Sequence, residues 1–588
     1  MSRIGVFVCH CGINIAGTVD VERVAEEIGR HRDVAYSTTY EYMCSNPGQQ
    51  LVKDAIAEHD LDGVIVAACS PLMHEKTFRR AASAAGLNPY RCEMANIREQ
   101  CSWVHEHEPA RATEKAIEIV RTVVEKVTWD EELEPFHLPL TKRALVIGGG
   151  IAGMQAALDV ANAGFPVVLV EREDHLGGKM ARLSGTYLNF TAAPGLLERK
   201  VEQVLHHPHI QVLTGAEVRE VEGYVGNFEV RVGSGRVNEV LVNEVDEVRG
   251  MSSSTHSSST PSTFDVGAIV IATGWDPYPL ERLPEYGGAE IPDVVDGLTF
   301  EGMLRDEGGI QRPSDGQVPR EVVFVQCAGS RDPERGVPYC SKVCCMYVAK
   351  QAMMFRERVP DGQAYVFYID IRSAGKGYDE YVQRAMEEHD ILYLRGKVSK
   401  IFTRGGKVAV WGADTLSGKP LEVAADLVVL ATPMTPSRQA FELARTLRVG
   451  IDQNGFFSEA HPKLRPVESL TAGIFLAGAA QGPKDIPETV SQASGAAAKV
   501  LKLFSQDEMI QEPMVACVIP QLCSGCGVCV EACPYGARSI HPVWRIATVN
   551  AALCQNCGAC VVACPNKASQ IHNWTPVQIL AMADVVSW

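Results

Sequence analysis

The sequence has no uninterrupted apolar run near the ~20 residues that a membrane-spanning helix requires, so no span is expected. Positive charge is in short supply. Lys and Arg number 55 and Asp and Glu 72, and the resulting net charge of -17 opposes adsorption to a polyanion, which argues against a nucleic-acid partner. The opening MSRIGVFVCHCG has neither a long apolar region nor an A-x-A cleavage site, so the expected location is the cytoplasm. No repeat of 20 to 50 residues organises the chain before its final segment. Cysteine is missing throughout 102 to 326.

What is present excludes a single core. At ~150 residues per domain, 588 residues make about four units, and 46% hydrophobic with 22% charged residues fits a globular protein. The 19 cysteines are clustered: six before position 102, four in 327 to 345 and nine in 517 to 564. Disulfide frameworks are rarely so grouped, and cytosolic thiols are kept reduced, so these cysteines read as metal ligands or redox groups.

Three parts follow one another, two of α/β type and a third of a different kind. The first, 1 to 130, has four short strand candidates (Ile4 to Val8, Val34 to Thr39, Val64 to Ala68, Tyr90 to Glu93) between helical patterns, which predicts a small parallel sheet. Ser45, Asn46 and Pro47 read as a helix start, and a longer helix is expected over Ala110 to Val127. A Pro- and acid-rich linker, Thr128 to Thr141, leads to a second α/β part, 142 to 504. It is interrupted by MSSSTHSSSTPST at 251 to 263, a polar tract expected to be an exposed loop. The third part, 513 to 588, is dense in cysteine.

The strongest chemical signal lies in that last part. Cys523, Cys526, Cys529 and Cys533 form C-x2-C-x2-C-x3-C before Pro534, and Cys554, Cys557, Cys560 and Cys564 repeat it before Pro565. This is the bacterial ferredoxin spacing, in which the fourth cysteine of each run serves the other cluster, so the third part is expected to be a ferredoxin-like module. Two [4Fe-4S] clusters are expected, one held by Cys523, Cys526, Cys529 and Cys564, the other by Cys554, Cys557, Cys560 and Cys533. Zinc knuckles are the alternative. Cys517 stands outside the pattern and is expected to be a buried thiol.

At Leu145 to Gly153 an apolar strand runs into G-x-G-x-x-G. Gly148 allows the tight turn, Gly150 lets backbone approach a pyrophosphate, Gly153 brings helix to strand, and Ile151 and Ala152 open the helix that faces the anion. A second strand, Val167 to Val170, ends at Glu171, placed to accept hydrogen bonds from a ribose. Leu176-Gly177-Gly178 with Lys179, then Ala272-Thr273-Gly274, then Gly473 to Ala479 including Gly478, resemble the further signatures of two-dinucleotide-domain flavoproteins. Together they imply FAD in a thioredoxin-reductase-like fold.

That class carries a second glycine fingerprint for a pyridine nucleotide, after a strand expected here over Glu321 to Gln326. Instead the chain reads Cys327-Ala328-Gly329-Ser330, and Cys340, Cys344 and Cys345 follow, expected at the start of a helix with 340 and 344 on one face. A third [4Fe-4S] cluster is expected there, with zinc or a redox disulfide as alternatives. In the first part, Cys9, Cys11, Cys44, Cys69 and Cys101 all fall near the edge of the sheet where strand-to-helix loops emerge, giving five candidates for the four places of another cluster. Cys92, inside its strand, reads as core. His206, His207 and His209 read as a loop before a strand, with a metal site as the alternative, and His105 with His107 as facing solvent or capping a helix. Lys350 and Lys484 are candidates to face the flavin, where a cation would stabilise its reduced anionic form, or are simply surface charges.

These residues resemble the A-type member of the heterodisulfide reductases. The likeness rests on Val8-Cys9-His10-Cys11-Gly12, Ala67-Ala68-Cys69-Ser70-Pro71, Met94 to Glu99, Cys101 to His105, the Cys327 to Lys350 segment, Ala460 to Pro466 and Gln481 to Pro487. It implies FAD at the fingerprint, a cluster at Cys327, Cys340, Cys344 and Cys345, and Lys350 close to the reactive face of the flavin. It also implies electron bifurcation within an anaerobic complex. The implied partners are heterodisulfide-reductase B- and C-like subunits, a small iron-sulfur electron-input subunit of a hydrogenase or formate dehydrogenase, ferredoxin, and a second copy in a homodimer. The sequence departs from the methanogen pattern twice. The polar tract at 251 to 263 stands in place of an inserted ferredoxin domain, and Asn189 to Pro194 replaces cysteines expected after the GG motif. A non-bifurcating electron relay and an NAD(P)H-dependent reductase are the competing expectations.

Overall fold

The computed structural model describes residues 2–233, 235–240, 253–258 and 261–586, the two short pieces by backbone alone. The chain divides into two compact units, Met1–Leu138 together with Ile510–Trp588, and Pro139–Met509. The first and third parts read from the sequence thus fall in one unit. Among the described residues no helix is long and apolar enough to cross a membrane.

In the first unit, strands Val34–Tyr40, Ile4–Cys9, Gly63–Ala68 and Cys92–Asn96 lie side by side in that order, all parallel. Ile4–Cys9 and Gly63–Ala68 are buried along their whole length, as apolar runs covered on both faces must be. Alternate residues serve two cores, Ile4, Val6 and Val8 on one face and Phe7 and Cys9 on the other. Three strands match expectation closely. The fourth begins two residues late, because Asn88 accepts from Tyr90 N and Pro89–Arg91 winds into a single turn before Cys92. Ser45 Oγ accepts from Gly48 N and starts the helix Asn46–Glu58 as expected. Cys92 is core.

Helix Pro109–Val127 covers one face of this sheet and packs against the C-terminal helix Pro576–Val586. A buried polar network joins the two regions. Lys126 Nζ donates to Glu93 and Asp130, each at 2.9 Å, and Gln578 Nε2 donates to the same Asp130 oxygen at 2.8 Å. Asn573 accepts from Glu131 N at 2.8 Å and donates to Glu131 O at 3.1 Å. Burial pushes the Asp130 carboxyl up to about 6 against the pull of Lys126.

The second unit holds two parallel sheets. One runs Ser253–Ser258, Gly235–Val240, Ile210–Thr214, Val167–Val170, Ala144–Ile147, Ala268–Ile271, Ile474–Leu476, its first two strands antiparallel and the rest parallel. The other runs Val294–Asp296, Leu427–Leu430, Glu321–Val325, Gln363–Tyr368, Leu392–Arg395, parallel throughout. Each is accompanied by a three-stranded antiparallel sheet, one built from Val218–Tyr224, Asn227–Val232 and Ser262–Val266, the other from Val398–Arg404, Lys407–Asp414 and Lys419–Ala425. This is the two-dinucleotide-domain architecture. The tract expected as a loop differs in part. Residues 253–258 form the edge strand and Ser262 opens the strand Ser262–Val266, while 251, 252, 259 and 260 lie outside the described residues. An edge strand needs backbone partners on one side only, which a polar tract can supply.

Candidate functional site

Strand Ala144–Ile147 turns sharply at Gly148, whose φ of 111° only glycine adopts readily. A Cβ there would lie 2.4 Å from Ala272 O, and a Cβ on Gly153 would lie 1.8 Å from Gly148 O. The turn feeds helix Ile151–Asn162, whose N-cap Gly150 has no side chain to satisfy the first amides. They face a cavity of about 1220 Å³. Gly148, Gly150, Ile151 and Ala152 line one wall, Glu171, Gly177, Gly178 and Lys179 the next, and Ala272, Thr273 and Gly274 a third. Gly153 and Gly478 stand behind the wall. Gly478, at φ 66°, brings the last signature within 2.8 Å, measured from its would-be Cβ, of the Ala152 methyl.

Glu171 accepts from Gly149 N at 2.5 Å through one oxygen and from Glu173 N at 2.8 Å through the other, which fixes the carboxylate at the cavity edge. Lys179 Nζ bonds Asp276 at 3.1 Å, and together with the Arg438 amide holds that carboxyl below its usual range despite burial. Thr273 Oγ1 is buried without a hydrogen-bond partner among the described residues.

Both lysines singled out in the sequence reach this cavity. Lys350, almost fully buried, donates to Glu301 Oε2 and Gly185 O, each at 2.7 Å, and to Ser184 Oγ at 3.3 Å. An ammonium has three protons, and here all three are engaged. Burial lowers its pKa, and Glu301 opposes the fall. Glu301 was not marked by the sequence, yet it also accepts from Ser184 and Gln351 and ties three segments of the wall together. Lys484 bonds Gln481 and, at 3.4 Å, Gly482 O, and burial lowers its pKa. Asp485 caps helix Ile486–Phe504 and accepts from Tyr187 at 2.8 Å and Tyr378 at 2.7 Å.

In the second parallel sheet, strand Glu321–Val325 runs into Cys327, at φ 58°. The helix expected to carry three cysteines starts only at Cys344. Lys342 sits at φ 67° and Val343 N bonds Ser341 O at 2.7 Å, so a tight turn separates Cys340 from the helix, and 340 and 344 do not share a helical face. The thiols are near enough for their charges to act on one another, although among the described residues no three of them stand in ligating geometry. Burial raises those of Cys344 and Cys345, the latter to about 11, and the charges of Cys327 and Cys340 add to both. Gln326 Nε2 and Ser330 Oγ lie beside them, buried without a partner among the described residues.

In the first unit, Cys9 ends its strand, Cys11 follows at φ 50°, Cys44 precedes the helix Asn46–Glu58 and Cys69 follows Gly63–Ala68. Burial raises the Cys9 thiol and the charges of Cys11 and Cys44 add to it; burial pushes Cys69 up to about 11, with Cys11 and Cys9 adding and Arg98 opposing. Arg98 Nη1 lies 3.4 Å from Cys11 Sγ. Cys101 is set apart. Its Sγ donates to Ala112 O at 3.0 Å inside the core, and burial alone pushes it up, to about 11, with Lys115 opposing.

In the C-terminal region, one cavity is lined by Cys523, Cys526, Cys529 and Cys564, and a second by Cys533, Cys554, Cys557 and Cys560. The fourth cysteine of each run thus faces the other run's first three. Cys517, expected to be buried, is only partly buried, in strand Ala516–Val518, which pairs with Ser569–Ile571.

Comparison with known proteins agrees with this layout. Residues 142–314 match the family model of pyridine nucleotide-disulphide oxidoreductases, and residues 522–568 that of the 4Fe-4S dicluster domain. The second of two A-type iron-sulfur subunits of the CoB--CoM heterodisulfide reductase of Methanopyrus kandleri is 43% identical, over 91% of this chain and 90% of that one. The A-type component of the H(2):CoB-CoM heterodisulfide,ferredoxin reductase of Methanothermobacter thermautotrophicus is 41% identical, over 92% and 90%. A protein of Archaeoglobus profundus described as similar to the A-type component of heterodisulfide reductase is 39% identical, over 91% of both. The chain therefore belongs to the A-type (HdrA) family of heterodisulfide reductase components, oxidoreductase subunits whose cofactor classes are FAD and [4Fe-4S] clusters.

Proposed function

We propose that this chain is the FAD and iron-sulfur electron-transfer component of an anaerobic heterodisulfide-reductase-like complex and that its flavin splits electron pairs between a disulfide-reducing or similar high-potential branch and ferredoxin. The observation that carries the reading is that Cys327, Cys340, Cys344 and Cys345, close enough to influence one another's charge, follow strand Glu321–Val325, where an NAD(P)H-dependent enzyme would need a second glycine-rich turn. An iron-sulfur cluster there replaces direct hydride entry. B- and C-like subunits, a small electron-input subunit of a hydrogenase or formate dehydrogenase, ferredoxin and a second copy of the chain are the partners of this reading.

The residues fit the cofactors. A glycine cradle, a cavity of about 1220 Å³ and the unpartnered Thr273 hydroxyl suit a dinucleotide. The amides around Gly150 and Ile151 receive its pyrophosphate, and Glu171 its ribose. FAD bound there supplies the exchange between two-electron and one-electron transfer. Lys484 keeps a proton free to donate toward the ring, whereas Lys350, with Glu301, holds the wall in place and leaves no unpaired charge. The unpartnered Gln326 Nε2 and Ser330 Oγ suit the sulfur atoms of the cluster at Cys327, Cys340, Cys344 and Cys345. The C-terminal cavities take one cluster each, and Cys9, Cys11, Cys44 and Cys69 take the fourth.

Two results are expected. In an anaerobic redox titration, no flavin radical accumulates by EPR at any potential, since a flavin that drives one electron uphill has crossed one-electron potentials. A stable radical would favour the relay reading and remove bifurcation. In the first unit, Cys101→Ala should keep the iron content of the unmodified chain while Cys69→Ala loses about four irons. Iron loss on Cys101→Ala would reassign the ligands.

A further inference from the structure

The two halves of the cysteine-rich module repeat one cysteine spacing, and a buried charged side chain is present in one half where the other has a neutral one. Counting five residues on from the last cysteine of each run gives Arg538 after Cys533 and Ser569 after Cys564. Both open a short strand, Arg538–Ile540 and Ser569–Ile571, and both are buried, with 4% and 2% of their surface exposed. Each lines one of the two cysteine cavities. Ser569 faces the set Cys523, Cys526, Cys529 and Cys564, and bonds Cys564 through its amide and hydroxyl. Arg538 faces the set Cys533, Cys554, Cys557 and Cys560, and its Nη2 lies 3.0 Å from Cys560 Sγ.

The guanidinium is otherwise unsatisfied. Its Nε and Nη1 are buried with no hydrogen-bond partner among the described residues, and it makes no ion pair with a carboxylate among them. Burying an unpaired cation is costly, and the cost is offset only if something anionic and hydrogen-accepting shares the cavity. A cluster held by four thiolates is such a group, offering sulfur acceptors and negative charge. Neutral amides are more numerous at the Ser569 cavity, where Ala547 N donates to Cys523 and the amides of Asn566, Ala568 and Ser569 to Cys564, against Ala537 N to Cys533 and Ala516 N to Cys554 at the other; the guanidinium is what brings a full charge to one cavity alone.

We propose that Arg538 makes the cluster at Cys533, Cys554, Cys557 and Cys560 the higher-potential member of the C-terminal pair. This rests on the reading above that each cavity holds a [4Fe-4S] cluster. Reduction adds one electron and hence one negative charge to a cluster. A fixed cation with N–H groups aimed at sulfur stabilises the reduced form more than the oxidised one, so the potential rises. The donors at Cys564, the Ser569 hydroxyl and the amides of Asn566, Ala568 and Ser569, are neutral dipoles and bring no full charge to the other cluster. The module is therefore an ordered two-step conduit in which the Arg538 cluster fills first and the Ser569 cluster is the more reducing station.

The test uses the full chain, reconstituted anaerobically, with iron counted and the clusters followed by EPR across applied potential. Arg538→Met, neutral and of similar length, should move one cluster step to more negative potential, toward its neighbour, and leave the flavin and the other steps in place. Arg538→Lys should lie between the two. A full-iron Arg538→Met chain with every step unmoved would overturn the proposal. If Arg538→Met loses about four irons, the decision passes to full-iron Arg538→Lys, where an unmoved step overturns it and a partial negative shift supports it. An unmodified chain that lacks the module's eight or so irons would instead refute the cofactor reading itself.

Discussion

A chain carrying Gly153→Val should leave gel filtration without yellow flavin while keeping the iron of its first unit. The reason is a distance that has no slack. A Cβ at 153 would stand 1.8 Å from the Gly148 carbonyl oxygen and 3.3 Å from the Val146 side chain. The atom in the way is backbone, and it belongs to the turn proposed to cradle the pyrophosphate. Relief requires lifting helix Ile151–Asn162 off strand Ala144–Ile147, whose contacts with Val146, Ala156 and Val160 lie in the largest core of this unit. Overpacking of this kind costs roughly 3 kcal/mol or more, about a hundredfold in cofactor retention if all of it falls on binding. Flavin absorbance per chain is the readout. Full occupancy would mean that the dinucleotide is held elsewhere.

The second large effect concerns which cysteines act together. Double replacement of Cys523 and Cys564 by alanine should remove one cluster, about four irons, because both line the same cavity. Double replacement of Cys523 and Cys533, which belong to the same run in the sequence, should remove two clusters, about eight irons, because the second lines the other cavity. If each run instead held its own cluster, the two results would exchange. Iron analysis of the two proteins against the unmodified chain distinguishes the arrangements without any assay of activity.

What could be read from the sequence was what local spacing determines. Strand Val167–Val170 and the cap at Ser45 came out to the residue, because four apolar positions ending at an acid, or a Ser-Asn-Pro start, need no distant partner. The crossed cysteine sets were equally legible, since the spacing of each run leaves its fourth thiol pointing away from its first three. Contacts over long separations were not. Glu301 meets Lys350 at a separation of 49 residues, and nothing in Gly297 to Arg305 marks it as other than one acid in an apolar helix. Cys101 was grouped with the four thiols of the sheet edge because sequence gives its distance from the strand but not the direction of its side chain, which turns to Ala112. Cys340 was placed on a helix because a spacing of four suits one, and the left-handed Lys342 that breaks it carries no sequence signature. Nothing in the sequence around Arg538 marks it as a buried charge.

The unit that joins Met1–Leu138 to Ile510–Trp588 has a consequence for how the protein is made. Topologically, Pro139–Met509 is an insertion into a host whose two halves leave the ribosome far apart in time. Gln578 reaches Lys126 and Asp130 across 448 to 452 residues, which at ~5–20 residues per second is a wait of about 20 to 90 s. During that interval the inserted flavin unit can fold, while the N-terminal half has its sheet but lacks the helix and amides that cover its Lys126 network. Gln578 therefore closes a unit around residues made 448 to 452 positions earlier, and loss of its helix would show as a defect around Lys126 and Asp130.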